Sequence, residues 1–172
     1  MRKFLLATAT LGALAALMVF AVGALADDGH GKGEANGSSK HGNHNGHVLF
    51  KSTIAPSVPT DPVIHGVAAA GAAWVIDEGK VRISKGGGFE LEVEGLVLTA
   101  TGANPLTTLS ASLFCGADTA PAATTASVPF SPAGDAEIET TVTLPAKCLA
   151  PVVLLHPNGG VTRYIGASGF TG

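Results

Sequence analysis

From Phe89 to Glu94 the chain reads Phe-Glu-Leu-Glu-Val-Glu, apolar and acidic side chains in strict alternation. A period of two puts Phe89, Leu91 and Val93 on one face of a strand and Glu90, Glu92 and Glu94 on the other, which predicts a half-buried strand with a solvated side. Before it, Ser84-Lys85-Gly86-Gly87-Gly88 is a turn rich in residues that tolerate positive φ. The β-branched run Trp74-Val-Ile-Asp-Glu-Gly-Lys-Val-Arg-Ile83 leads into that turn, with a bend expected at Gly79. Residues 81–84 and 89–94 therefore pair as a hairpin. Further on, Leu109, Ala111, Leu113 and Cys115 share one face, and Ile138, Val142 and Leu144 alternate with Glu137, Glu139 and Thr143. The short Ala126–Phe130 stretch fits an edge strand, since Pro129 lacks a ladder donor. Pro151–His156 is a continuous apolar strand, Pro157-Asn-Gly-Gly160 a turn, and Val161–Ser168 the return. No sustained helical period occurs beyond the N-terminal segment. Seven to nine short strands over residues 48–172 predict an all-β antiparallel sandwich. Its core would include Trp74, Ile76, Phe89, Leu91, Val93, Leu113, Ile138, Val142, Val153, Leu155 and Ile165.

The N-terminus follows a different pattern. Arg2 and Lys3 precede an apolar run from Phe4 to Leu25 that closes in Ala24-Leu25-Ala26 before Asp27-Asp28. Charge, apolarity and a small-x-small end make residues 1–26 a secretory signal peptide. The alternative is an uncleaved membrane anchor, because the run is long enough to span a bilayer. Residues 27–47 are mostly Gly, Asn, Ser, His, Lys and Asp, with Ala35 the one side chain that could bury carbon, so a disordered linker is expected there. Order begins at the apolar cluster Val48-Leu49-Phe50.

Charge narrows the partners. The full chain carries a formal −3, which becomes −5 once Arg2 and Lys3 are removed. That balance speaks against nucleic acid or an anionic membrane surface, both of which need a cationic footprint. Export also changes how the two cysteines, Cys115 and Cys148, are read. In an oxidising compartment an isolated pair is most simply one disulfide, and its spacing does not suit a metal site or a redox motif.

Three segments, Ser112-Leu-Phe-Cys-Gly116, Leu144-Pro-Ala-Lys-Cys-Leu-Ala-Pro-Val-Val-Leu-Leu-His-Pro-Asn-Gly159 and Tyr164-Ile-Gly-Ala-Ser-Gly-Phe170, resemble ones in uncharacterised secreted bacterial proteins with an immunoglobulin-like sandwich. The resemblance spans about residues 62–170 and its motifs are structural. It implies an immunoglobulin-like topology for the sandwich and attaches no activity or binding residue.

Candidate chemistry is sparse. His41, His44 and His47 recur every three residues within Lys40–His47, and imidazoles can bind Zn²⁺, Cu²⁺ or Ni²⁺. Gly42, Asn43, Asn45 and Gly46 deny that segment a helix, so any metal capture would be weak chelation by a loose chain. His30 falls one position beyond the register of an amino-terminal copper chelate at Asp27. Glu90, Glu92 and Glu94 form an acidic stripe with the raw material of a glycosidase or calcium site, although alternation explains them as a solvated face. In the folded part only His65 and His156 remain, the latter expected as a turn residue before Pro157. There is no nucleophile elbow, phosphate loop or H-E-x-x-H. The expectation is a secreted, non-enzymatic β-sandwich with no cofactor, acting as an extracellular or envelope binding or structural module toward a protein or glycan. The alternatives are a metal-handling protein using the His-rich linker and, more remotely, a carbohydrate-active enzyme.

Overall fold

The computed structural model describes residues 46–171. The expected signal peptide at 1–26 and all but the last two residues of the expected linker lie outside the described residues. Every regular element among the described residues is a strand. They are β1 (Val48–Pro56), β2 (Ala68–Ala69), β3 (Trp74–Val75), β4 (Glu78–Ser84), β5 (Gly88–Glu94), β6 (Val97–Leu98), β7 (Thr108–Phe114), β8 (Ala123–Thr124), β9 (Val128–Pro129), β10 (Ala136–Thr141), β11 (Val152–Pro157), β12 (Arg163–Tyr164) and β13 (Gly166–Ser168).

Nine of these strands form one antiparallel sheet in the order β10-β5-β4-β1-β13-β11-β7-β8, with β9 also on β7. Its pivot is β1. Lys51, Ser52 and Thr53 pair with Arg82, Val81 and Lys80 of β4, whereas Ile54, Ala55 and Pro56 pair with Ser168, Ala167 and Gly166 of β13. One strand thus serves two half-sheets, and the sheet curls so that both halves face a single core. Val81, Ile83, Phe89, Leu91, Val93 and Ile138 from one half meet Leu109, Ala111, Leu113, Val153 and Leu155 from the other. Of the core residues expected from the sequence, Ile76 and Val142 are half-buried against this cluster and the rest are buried.

The expected hairpin is present as β4–β5, running from Glu78↔Glu94 to Ile83↔Phe89. Its turn depends on Gly87, whose φ of 90° is unfavourable for any other residue and whose Cα faces the Val142 carbonyl too closely for a side chain. The anticipated bend at Gly79 falls instead at Ile76–Asp77, between β3 and β4. Gly79 lies inside β4, where a Cβ would stand 2.6 Å from Ile76 and 2.7 Å from Ile54. It is there for close approach.

The return after Pro157 also differs from a simple hairpin. Asn158 and Gly159 have φ of 50° and 72°, and the Gly160 N–H donates to Pro157 O at 3.0 Å, as in a type I′ turn. The chain then leaves the sheet as β12, which pairs parallel with β2, and rejoins it as β13 opposite β11. This detour, with residues 57–70, covers the outer face of β7 and β11. A second cluster forms beneath it from Val67, Ala69, Phe114, Leu154 and Tyr164. The Tyr164 hydroxyl donates to Pro62 O at 2.8 Å and the Arg163 guanidinium to Ala69 O at 3.1 Å, pinning the cover.

Cys115 and Cys148 form the expected disulfide. Cys115 follows β7 directly and Cys148 lies just before β11, so the bond closes the shared end of two strands already paired at Phe114↔Val152.

Candidate binding cleft beside strand β10

Of the three histidines proposed as metal ligands, His41 and His44 lie outside the described residues. His47 is exposed, and its carbonyl accepts the Lys85 N–H at 2.7 Å, which fixes the chain just ahead of β1. Among the described residues no three His, Cys, Asp or Glu side chains converge as a metal site would require.

The acidic stripe is now set in a sheet. On the outer face of β4, β5 and β10, side chains align in rows across the strands: Arg82 with Glu90 and Glu139, Lys80 with Glu92 and Glu137. The alternation in each strand produces this face, because the opposite residues, Val81, Ile83, Leu91, Val93 and Ile138, enter the core. Glu92 lies 2.9 Å from Lys80 Nζ, and Glu90 lies 3.2 Å from Arg82 Nη1. The hydrogen bond to Glu92 holds the Lys80 ammonium above its ordinary value. Two of the three stripe carboxylates therefore have cationic neighbours. Glu94 and Glu137 have none among the described residues.

Those two acids border a shallow, largely open cleft of about 460 Å³ whose lining includes Glu92, Glu94, Phe130, Ser131, Asp135 and Glu137. Its wall is the turn between β9 and β10. Asp135 accepts the Gly95 N–H at 3.1 Å and the Ser131 hydroxyl at 3.1 Å, and Gly134 O accepts the Leu96 N–H at 2.9 Å. These bonds tie the turn to the end of β5 and fix the cleft's shape without using Glu94 or Glu137. Phe130, anchored in the core, forms the apolar floor. The sequence pattern marked the glutamates but carried no sign that Ser131-Pro-Ala-Gly-Asp135 folds beside them.

The two histidines of the folded part are elsewhere. His65 adopts φ 51°, stacks on Phe114 with centroids 4.9 Å apart, and its Nδ1 lies 2.8 Å from Asp118 O. It belongs to the cover over the second cluster. His156 corrects the turn assignment: it lies within β11, fully buried, directly opposite Ser110 on β7. The apolar run extends as far as Pro157, which needs no N–H toward β7 because the Asn158 N–H donates to Thr108 O, leaving Pro157↔Leu109 a non-hydrogen-bonded pair. The His156 Nδ1 is 2.9 Å from Arg163 O, so Nδ1 carries the proton and Nε2 the lone pair. Burial pushes this imidazole below its ordinary value. Neither Nε2 nor the Ser110 hydroxyl has a hydrogen-bond partner. With both residues closed off from solvent, the pair cannot meet a substrate.

No protein-family model, curated protein or solved structure matches the chain.

Proposed function

We propose that the chain is an exported, non-catalytic β domain that binds an extracellular protein or glycan through the cleft beside β10. The observation that carries this reading is the cleft's chemistry. It combines an apolar floor at Phe130 with Glu94 and Glu137, two exposed carboxylates that no described cation neutralises. Ligand sites combine apolar lining with a few polar groups, and this shallow depression offers that chemistry to a partner surface without enclosing a ligand. The disulfide suits a non-reducing compartment, in keeping with the signal-peptide pattern of residues 1–26. The immunoglobulin-like assignment belongs to the same proposal, supported by two antiparallel half-sheets around one core.

The carbohydrate-active reading has less support. Glu90 and Glu92 are engaged by Arg82 and Lys80 and stand on an open sheet face, whereas glycoside hydrolysis uses a carboxyl pair flanking a substrate held between them. The test is to screen the purified protein on glycan and peptide arrays and to assay each bound glycan for hydrolysis. Binding without turnover, weakened in Glu94→Gln and Glu137→Gln, is the expected result. Turnover that disappears in Glu90→Gln or Glu92→Gln would overturn it.

A further inference from the structure

We infer that residues 161–164 form a pH-sensitive strap over the end of β11, latched by His156 and released in acid. The inference goes beyond the binding reading and does not depend on the cleft. The outer face of β7 and β11 presents three directly opposed pairs, Phe114↔Val152, Ser112↔Leu154 and Ser110↔His156. Alternation turns Leu109, Ala111, Leu113, Val153 and Leu155 the other way, into the main core. Lifting the strap therefore brings His156 to solvent with the main core still closed.

The strap is lightly held. It leaves the turn that the Gly160 N–H closes on Pro157 O, and it returns at Ile165, whose N–H donates to Leu155 O at 2.9 Å. Between these fixed points Val161, Thr162 and Arg163 are exposed and Tyr164 is buried. Most of its bonds run to residues 57–70. Arg163 and Tyr164 pair with Ala68 and Ala69 of β2, and Tyr164 O accepts the Ala70 N–H at 2.8 Å and the Ser57 hydroxyl at 3.2 Å. The Arg163 guanidinium and the Tyr164 hydroxyl donate to Ala69 O and Pro62 O. Among the described residues, the hydrogen bond that ties the strap down to the nine-stranded sheet is the one between His156 Nδ1 and Arg163 O, at 2.9 Å. Segments with exposed side chains and few buried contacts are the first to open.

The surroundings of His156 set the direction of the switch. The strap and residues 57–70 carry four ionisable side chains, Asp61, His65, Arg163 and Tyr164, and β2, β7 and β13 carry none. Asp61 accepts the Val58 N–H at 2.8 Å and acts on Tyr164. His65 stacks on Phe114, with its Nδ1 2.8 Å from Asp118 O. Across the ladder His156 meets the Ser110 hydroxyl, which has no partner. A proton on Nε2 would thus be buried with no carboxylate beside it among the described residues. Burial accordingly lowers the His156 pKa from 6.5, opposed by the Arg163 carbonyl. With the strap lifted the imidazole is solvated and regains its ordinary value, so acid favours the open form. The opening constant rises by up to about tenfold per pH unit as the pH falls from 6.5 toward the lower, closed value. Release uncovers the His156–Ser110 pair.

Amide exchange of the purified protein between pH 8 and pH 5, expressed as protection factors, tests the strap. Protection of the Ala70 N–H, which is bonded to Tyr164 O, should fall by up to about tenfold per pH unit below 6.5, while amides of β4 and β5 keep theirs. The ring signals of Tyr164, the chain's single tyrosine, should move over the same range. Emission from Trp74, the single tryptophan and part of the main core, should stay constant. His156→Gln should abolish the pH dependence, and His65→Gln, which removes the other imidazole of this layer, should preserve it. Should His156→Gln fail to fold, the wild-type His156 ring resonances supply the second measurement, since the fall in Ala70 protection must level off where that imidazole has titrated. Ala70 protection that is flat with pH, that falls together with β4 and β5, that continues to fall past the His156 titration, or that loses its pH dependence in His65→Gln would overturn the inference.

Discussion

His156 on β11 and Ser110 on β7 face each other across the antiparallel ladder, both buried, and neither the imidazole Nε2 nor the hydroxyl has a hydrogen-bond partner. Two polar groups adjoin under the β12 detour without meeting, and each has a measurable consequence.

The first is a dependence on pH. Desolvation is the larger influence on His156 and lowers its pKa from 6.5, while the bond to the Arg163 carbonyl pulls weakly the other way. The unfolded chain therefore takes up this proton at a higher pH than the folded one. The associated stability is fully present above about pH 6.5 and is lost as the pH falls through 6.5 toward the lower folded value. One proton gives a slope of up to about 1.4 kcal/mol per pH unit in that window. Urea unfolding of the wild type and of His156→Leu between pH 8 and pH 5 measures it. The wild type should lose stability faster on acidification, with the difference in slope confined to the region below pH 6.5. Parallel profiles would refute the assignment.

The second consequence concerns Ser110. A buried hydroxyl without a partner costs about 1–3 kcal/mol of desolvation, and removing it leaves only a small void. Ser110→Ala should therefore be neutral or raise stability by about 1 kcal/mol, against the usual sign for a core substitution. Ser112→Ala is the control, because the Ser112 hydroxyl lies 3.0 Å from Thr124 Oγ1 and the substitution removes that hydrogen bond. A shared loss in both variants, read from thermal midpoints, would mean that Ser110 is satisfied after all.

What the sequence disclosed follows from how local each signal was. The Phe89–Glu94 alternation and the glycine turn before it are self-contained, and they mapped directly onto the β4–β5 hairpin. The cysteine pair needed only the inference of export. By contrast, β1 reads weakly, because Val48 and Leu49 are exposed and only Ile54 is fully buried. Its role as the strand shared by both half-sheets depends on partners far along the chain at Glu78–Ser84 and Gly166–Ser168. The cleft was hidden for the same reason: Asp135 reaches Gly95 across 40 residues of chain. His156 was misread because a proline after an apolar run signals a turn, and nothing local says that the ladder extends to Leu109↔Pro157.

The glycine turn separates two effects that a sequence cannot distinguish. Gly86 and Gly87 both have positive φ, 106° and 90°. A Cβ on Gly86 meets nothing within 4 Å, whereas one on Gly87 would strike the Val142 carbonyl. Gly86→Ala should cost only the backbone strain, about 1 kcal/mol. Gly87→Ala adds a steric conflict with backbone on β10's exit and should cost about 2–4 kcal/mol. Equal losses in denaturant midpoints would show that Val142 yields freely. A larger loss at Gly87 with displaced amide signals at residues 140–143 would place the conflict where the geometry puts it.

The disulfide links Cys115 and Cys148 over a separation of 33 residues, with Cα atoms 5.0 Å apart. A loop of that size removes about 3.5–4 kcal/mol of chain entropy from the unfolded state in the loop-closure view. Much of the ladder does not depend on it, since β7 and β11 pair continuously from Phe114↔Val152 to Leu109↔Pro157. The bond acts mainly on the unfolded chain and on residues 142–151, which link the two half-sheets. The protein reduced under native conditions, and the Cys115→Ala/Cys148→Ala variant, should keep the β-type far-ultraviolet spectrum of the oxidised form. Both should unfold at lower urea concentration by an amount equivalent to about 3 kcal/mol. Thiol titration of the denatured, unreduced protein should find no free cysteine. A spectrum that collapses on reduction would show that the bond is required for the sheet to form at all, and that pairing of β7 with β11 is its consequence.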